Sequence, residues 1–113
     1  MSIKRIEIGP RMSQAVVHGG VAYLAGQVAL GDGVAAQTKA ILEQIDALLA
    51  KAGTDKTKLL TTTIYLADIS KFGEMNAVWD GWVAAGHTPA RATVEAALAT
   101  PDYLVEIVVT AAV

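Results

Sequence analysis

Ala90-Arg91-Ala92-Thr93-Val94-Glu95-Ala96-Ala97-Leu98, a turn at Ala99-Thr100-Pro101-Asp102, and Tyr103-Leu104-Val105-Glu106-Ile107-Val108-Val109 form the stretch on which the reading of this chain turns. Both flanks have the character of β-strands. In the first, alternation places Arg91, Thr93, Glu95 and Ala97 on one face and Ala90, Ala92, Val94 and Ala96 on the other. The second is apolar on both faces, with Val105, Ile107 and Val109 set against Leu104 and Val108. Arg91 and Glu106 stand out, because a charge in an apolar strand is costly unless it is paired or used. A hairpin turning at 99–102 would bring them close across the ladder. They would then form a cross-strand ion pair that fixes the register. Alternatively, both stand half-exposed at an interface, where the Arg91 fork grips a small carboxylate and Glu106 orients or deprotonates water.

Upstream, Ile41, Leu42, Ile45, Leu48, Leu49 and Ala52 recur at helical spacing and predict a helix over Val34–Ala52, stopped by Gly53. Before it, Lys4–Ile8, Ala15–His18 and Val21–Val28 read as strands, the last two joined by a hairpin at Gly19-Gly20. Leu59–Ala67 is rich in β-branched residues and reads as a strand. Asp68 or Ser70 can cap a second helix whose face carries Phe72, Met75, Trp79, Trp82 and Val83, with Gly86 at its end. Trp79 and Trp82 are read as core packing on the sheet. Strands at Ala90–Leu98 and Tyr103–Val113 complete the order βββαβαββ. This predicts one α+β domain over residues 1–113, a mixed sheet with both helices packed on one face. The apolar second face of the sheet then calls for cover from other subunits.

Composition points the same way. Hydrophobic residues make up 53% of the chain and charged ones only 18%, too little polar material to coat a small monomer. The net charge of −2, the absence of a basic stripe and an aromatic content of 5% argue against a nucleic-acid partner. Cysteine is absent, which excludes disulfides, thiolate metal sites and cysteine nucleophiles. His18 and His87 lie far apart without neighbours at ligand spacing, so no metal site is expected. Ser13 and Ser70 lack the surroundings of a hydrolase nucleophile, and Gly31-Asp32-Gly33 lacks the lysine of a phosphate-binding loop. No apolar run has the length of a membrane span or the form of a secretory signal, and a cytoplasmic protein is the expectation.

Thr88-Pro89-Ala90-Arg91-Ala92-Thr93-Val94-Glu95, with Leu98, Pro101 and Val105-Glu106-Ile107, resembles the C-terminal signature of the RidA/YjgF family. Leu24-Ala25-Gly26-Gln27-Val28, Gly53 and Met75-Asn76-Ala77-Val78-Trp79 extend the resemblance over nearly the whole chain. The segment Ala85-Gly86-His87-Thr88-Pro89 and the short length are similar to the YoaB-like branch. The resemblance implies a chorismate-mutase-like fold, a homotrimer with clefts between subunits, and cofactor- and metal-free hydrolysis of 2-imino or 2-enamino acids to 2-keto acids and ammonia. By position it makes Arg91 the carboxylate clamp and Glu106 the acid that positions water. It also puts Thr93 at a cysteine whose backbone touches substrate, Gly26 at a cleft-lining glycine, and Met12, beside Arg11, where archetypes carry a tyrosine. The alternatives are a trimeric sensor of small carboxylates that binds without turnover, and a protein-interaction trimer. The family's older endoribonuclease label is disfavoured by the acidic charge balance.

Overall fold

The computed structural model describes residues 2–113. Its elements are β1 (Lys4–Ile8), β2 (Ser13–His18), β3 (Val21–Leu24), α1 (Val34–Lys51), β4 (Leu59–Leu66), α2 (Phe72–Trp82), β5 (Ala90–Glu95) and β6 (Val105–Ala112). The order βββαβαββ is the one the sequence predicts. A six-stranded mixed sheet runs β1-β2-β3-β6-β4-β5, with only the β4–β5 pair parallel. Both helices pack on one face, as expected, in a chorismate-mutase-like arrangement.

Local chemistry explains the element ends. Gly19 and Gly20 take φ of 60° and 80° in the β2–β3 turn, conformations that cost glycine little. Helix α1 closes with Gly53 at φ 85°, where Gly53 N–H donates to Ala50 O and Thr54 N–H to Leu49 O, the paired bonds of a Schellman motif. Asp68 caps the 3-10 turn Ile69–Lys71 that leads into α2, accepting hydrogen bonds from Ser70 N–H and Ser70 Oγ–H. Those bonds hold its carboxyl below the usual carboxylate range.

The core lies between the helices and one sheet face. Ile41, Leu42, Ile45 and Leu49 of α1 and Met75 and Trp79 of α2 close over Ile64 and Leu66 of β4 and Val105, Ile107 and Val109 of β6. Each such side chain contributes about 1.5–3 kcal/mol of apolar burial. Gln37 is the polar exception, 1% exposed. Its Nε2 donates to Asp102 O at 2.8 Å and Gly31 O at 3.2 Å, and its Oε1 accepts from Leu104 N–H at 2.8 Å. It thereby ties the start of α1 to the loop that feeds β6.

Three expectations need correction. The strand predicted over Val21–Val28 ends at Leu24, and the chain touches the sheet again only where Gln27 bridges Ile107. The strands predicted over Ala90–Leu98 and Tyr103–Val113 are shorter, ending at Glu95 and starting at Val105. The third matters most: β5 and β6 form no hairpin, because β4 lies between them. Helix α2 returns the chain parallel to β4, so β5 adds at the outer side of β4 as a crossover unit. The loop 96–104 then carries the chain past the end of β4 to its other side. Ala96 N–H donates to Leu66 O, and Ala67 N–H to Leu104 O, pinning that crossing on both flanks.

Candidate active site

Register decides where the two charges point. Arg91 is paired with Thr62 of β4, and Thr62 is buried beneath the helices, so Arg91 lies on the helix-covered face. There its Nη1–H donates to Asn76 Oδ1 at 2.8 Å. The guanidinium carbon sits 5.3 Å from the Trp79 ring centroid and 5.7 Å from that of Phe72. Two ring faces and one amide thus hold a half-buried guanidinium whose other N–H groups make no hydrogen bond among the described residues. A planar fork with spare donors is suited to a bidentate carboxylate. Thr93 lies on the same face two residues along. Its Oγ1 and that of Thr62 are buried without a hydrogen-bond partner among the described residues.

Glu106 is paired with Tyr65, which on its other side is paired with Val94, and this row belongs to the open face. Its carboxylate rests on Gly26: a Cβ added there would come within 2.9 Å of the Glu106 carboxyl carbon and closer still to Oε2. Gly26 also lines a cavity of about 470 Å³, together with Met12, Gln14, Gln27, Gln44 and Leu48. Glu106 is half-buried and Met12 exposed.

The structure therefore sets Glu106 against Gly26, puts Met12 with Gly26 on the cavity wall, and places Arg91 and Thr93 on one face. It does not bring the two groups together within one chain. The cross-strand ion pair expected of a terminal hairpin is absent, since β4 separates the strands and the side chains leave opposite faces. The one ion pair among the described residues joins Lys51 to Glu7 at 2.7 Å.

Sequence reasoning missed the support of Arg91. Phe72, Asn76 and Trp79 fall on one helical face, and a polar Asn76 inside that otherwise apolar stripe was the available signal. Trp79 does pack in the core, 4% exposed, but it also offers a ring face to Arg91. Phe72 stays out of the core and stacks at its margin. Trp82 is only partly buried, and its Nε1–H donates to Asp46 Oδ2 at 3.0 Å.

Comparison with known proteins extends the geometry. The family model described as Endoribonuclease L-PSP matches residues 3–113. The RutC family protein YoaB of Escherichia coli strain K12 is 46% identical over 114 residues, covering 100% of both chains. A RutC family protein of Haemophilus ducreyi is 46% identical over 113 residues, covering 98% of this chain and 97% of that one. Among crystal structures, a YjgF family member from Neisseria meningitidis superposes with a TM-score of 0.97 at 50% identity, over 99% of this chain and 95% of the other.

Proposed function

The chain belongs to the YjgF/RidA family, YoaB-like members included, and on that premise we propose that it hydrolyses 2-imino acids to 2-keto acids and ammonia. The family includes imine deaminases. The observation that carries the reading is the disposition of Arg91 and Glu106. Each is half-buried and free of an ion-pair partner among the described residues, and each leaves a different face of one sheet. Such a pair can serve one substrate if it meets across a subunit boundary. The open sheet face supports association, since it leaves Tyr23 50% and Val94 42% exposed. A homotrimer with clefts between subunits is part of the proposal.

In that cleft Arg91 takes the substrate carboxylate bidentately, its fork aimed by Asn76 and backed by Trp79 and Phe72. Glu106 of the neighbouring copy holds water against the imine carbon and accepts a proton as the C–O bond forms. That proton passes to nitrogen to give a carbinolamine, whose hydroxyl then yields its own proton through Glu106 to nitrogen as C–N breaks, so that ammonia leaves and a carbonyl remains. The imine carbon is already electrophilic, so orientation and one carboxylate suffice for a modest barrier. Its small-molecule partners are 2-imino carboxylates as substrates and 2-keto carboxylates as products, and the chemistry draws on the chain's own residues, with no cofactor required. The net charge of −2 favours this over binding a polyanionic RNA.

The test is keto-acid release from 2-iminopropanoate and 2-iminobutyrate generated in situ by an amino-acid dehydratase. Acceleration over the spontaneous rate that is lost in Arg91→Ala and in Glu106→Gln supports the reading. No acceleration for either imine rejects it.

A further inference from the structure

A carboxylate by itself does not fix an attacking water. Glu106 accepts one of the two hydrogens, and the molecule still turns about that bond, so its lone pair is not held on the imine carbon. A second acceptor beside Glu106 removes that freedom. β4 and β6 each have a strand on both sides, so the main-chain carbonyls near Glu106 are drawn into the ladders of the sheet. The acceptor must then be a side chain of the open face.

Register identifies the candidates. Directly opposite Glu106 on β4 is Tyr65, and beyond it on β5 is Val94. Val108 is apolar, and Thr63, opposite it, carries a hydroxyl on a short stem in the next pair along this face. Opposite residues on this face do meet across the β4–β6 ladder. Thr61 and Thr110 are such a pair, and their hydroxyl oxygens lie 2.6 Å apart. Tyr65 is half-buried. Among the described residues, the side-chain hydrogen bonds of β4 and β5 join Thr61 to Thr110, Arg91 to Asn76 and Glu95 to the Ile69 N–H. None takes the Tyr65 hydroxyl.

Gly26 completes the frame. It stands on the β3 side of β6, where Gln27 bridges Ile107, and the Glu106 carboxyl leans onto it. Tyr65 stands on the β4 side. The lean thus clears the strip between carboxylate and phenol for a water. We propose that the Tyr65 phenol oxygen accepts the second hydrogen of the water that Glu106 of the same copy deprotonates. With both hydrogens taken, the lone pair faces the substrate. The O–H bond that breaks is the one directed at Glu106, and the bond that forms is C–O. Tyr65 orients the water and exchanges no proton. The proposal rests on the imine-hydrolase reading of Glu106.

Tyr65→Phe deletes one oxygen and keeps the ring. The assay is keto-acid release from 2-iminobutyrate generated in situ, with inhibition by 2-oxobutanoate and thermal melting measured on the same preparations. The expected result is a kcat lower by roughly ten-fold or more, the scale of one hydrogen bond made to a reacting group. KM and inhibition by the keto acid stay within about two-fold, because the Arg91 clamp is untouched, and the melting temperature is that of the parent. Thr63→Val keeps the parent kcat. A parent-like kcat in Tyr65→Phe overturns the proposal. So does a loss carried by KM, a loss matched by lower melting, or an equal loss in Thr63→Val. A parent that accelerates imine hydrolysis beside a fully active Tyr65→Phe removes the role of Tyr65 and keeps the hydrolase. A parent that gives no acceleration removes both.

Discussion

Asn76 Oδ1 accepts a hydrogen bond from Arg91 Nη1 at 2.8 Å, and this bond joins α2 to the outermost strand of the sheet. Its role is to aim the guanidinium. In Asn76→Ala the Arg91 fork loses a fixed reference, and substrate KM should rise by roughly ten-fold, about 1.4 kcal/mol, with a smaller change in kcat. Steady-state kinetics on a carboxylate-bearing imine reads this. An unchanged KM would mean that the rings of Trp79 and Phe72 alone set the fork.

Gly26→Ala places a methyl group where the Glu106 carboxyl lies, at 2.9 Å from its Cδ. Glu106 is half-buried and its side chain can rotate away, so the fold survives while the carboxylate moves. A displacement of that kind costs on the order of a hundred-fold in kcat. The check is turnover alongside thermal melting, with a large fall in the first and little change in the second.

Gln37→Leu removes the side-chain partner that Leu104 N–H and Asp102 O have among the described residues, in a site 1% exposed. Leaving such groups unmatched should cost about 2–4 kcal/mol. Denaturant unfolding at fixed protein concentration measures it, because association would otherwise move the midpoint.

Asp68 carries a pH signature. Hydrogen bonds from Ser70 hold its folded-state pKa below the unfolded value, so its contribution is present above the ordinary carboxylate range and is lost as pH falls through the lowered value. Asp68→Ala should therefore melt lower than the parent at neutral pH, with the gap closing in acid. A gap that stays constant down to strongly acidic pH would show that the cap works by shape alone.

The sequence made the elements legible because each has a strong local signal: the apolar period of α1, the Gly53 stop, the Gly19-Gly20 hairpin. It also singled out Arg91 and Glu106 as charges in apolar strands. What it left open was which strands are neighbours. Alternation shows that Arg91 and Glu95 share a face, but it is silent on whether that face meets α2 or the open side. Here α2 determines the answer by bringing β5 parallel to β4. For the same reason Asn76 is not legible as part of the site. Its significance lies in a partner distant in sequence, Arg91 on β5.

The separation of Arg91 and Glu106 onto opposite faces has a genetic consequence. If one site draws its clamp from one copy and its carboxylate from the next, Arg91→Ala and Glu106→Gln are complementary lesions. Neither homo-oligomer can turn over substrate. Unfolded together and refolded as a mixture, the two inactive proteins should recover activity at about a quarter of the sites, the fraction expected from random neighbours in a ring. Recovery would prove that each site is shared between copies. No recovery from a mixture shown to co-assemble would place both residues' chemistry within single subunits.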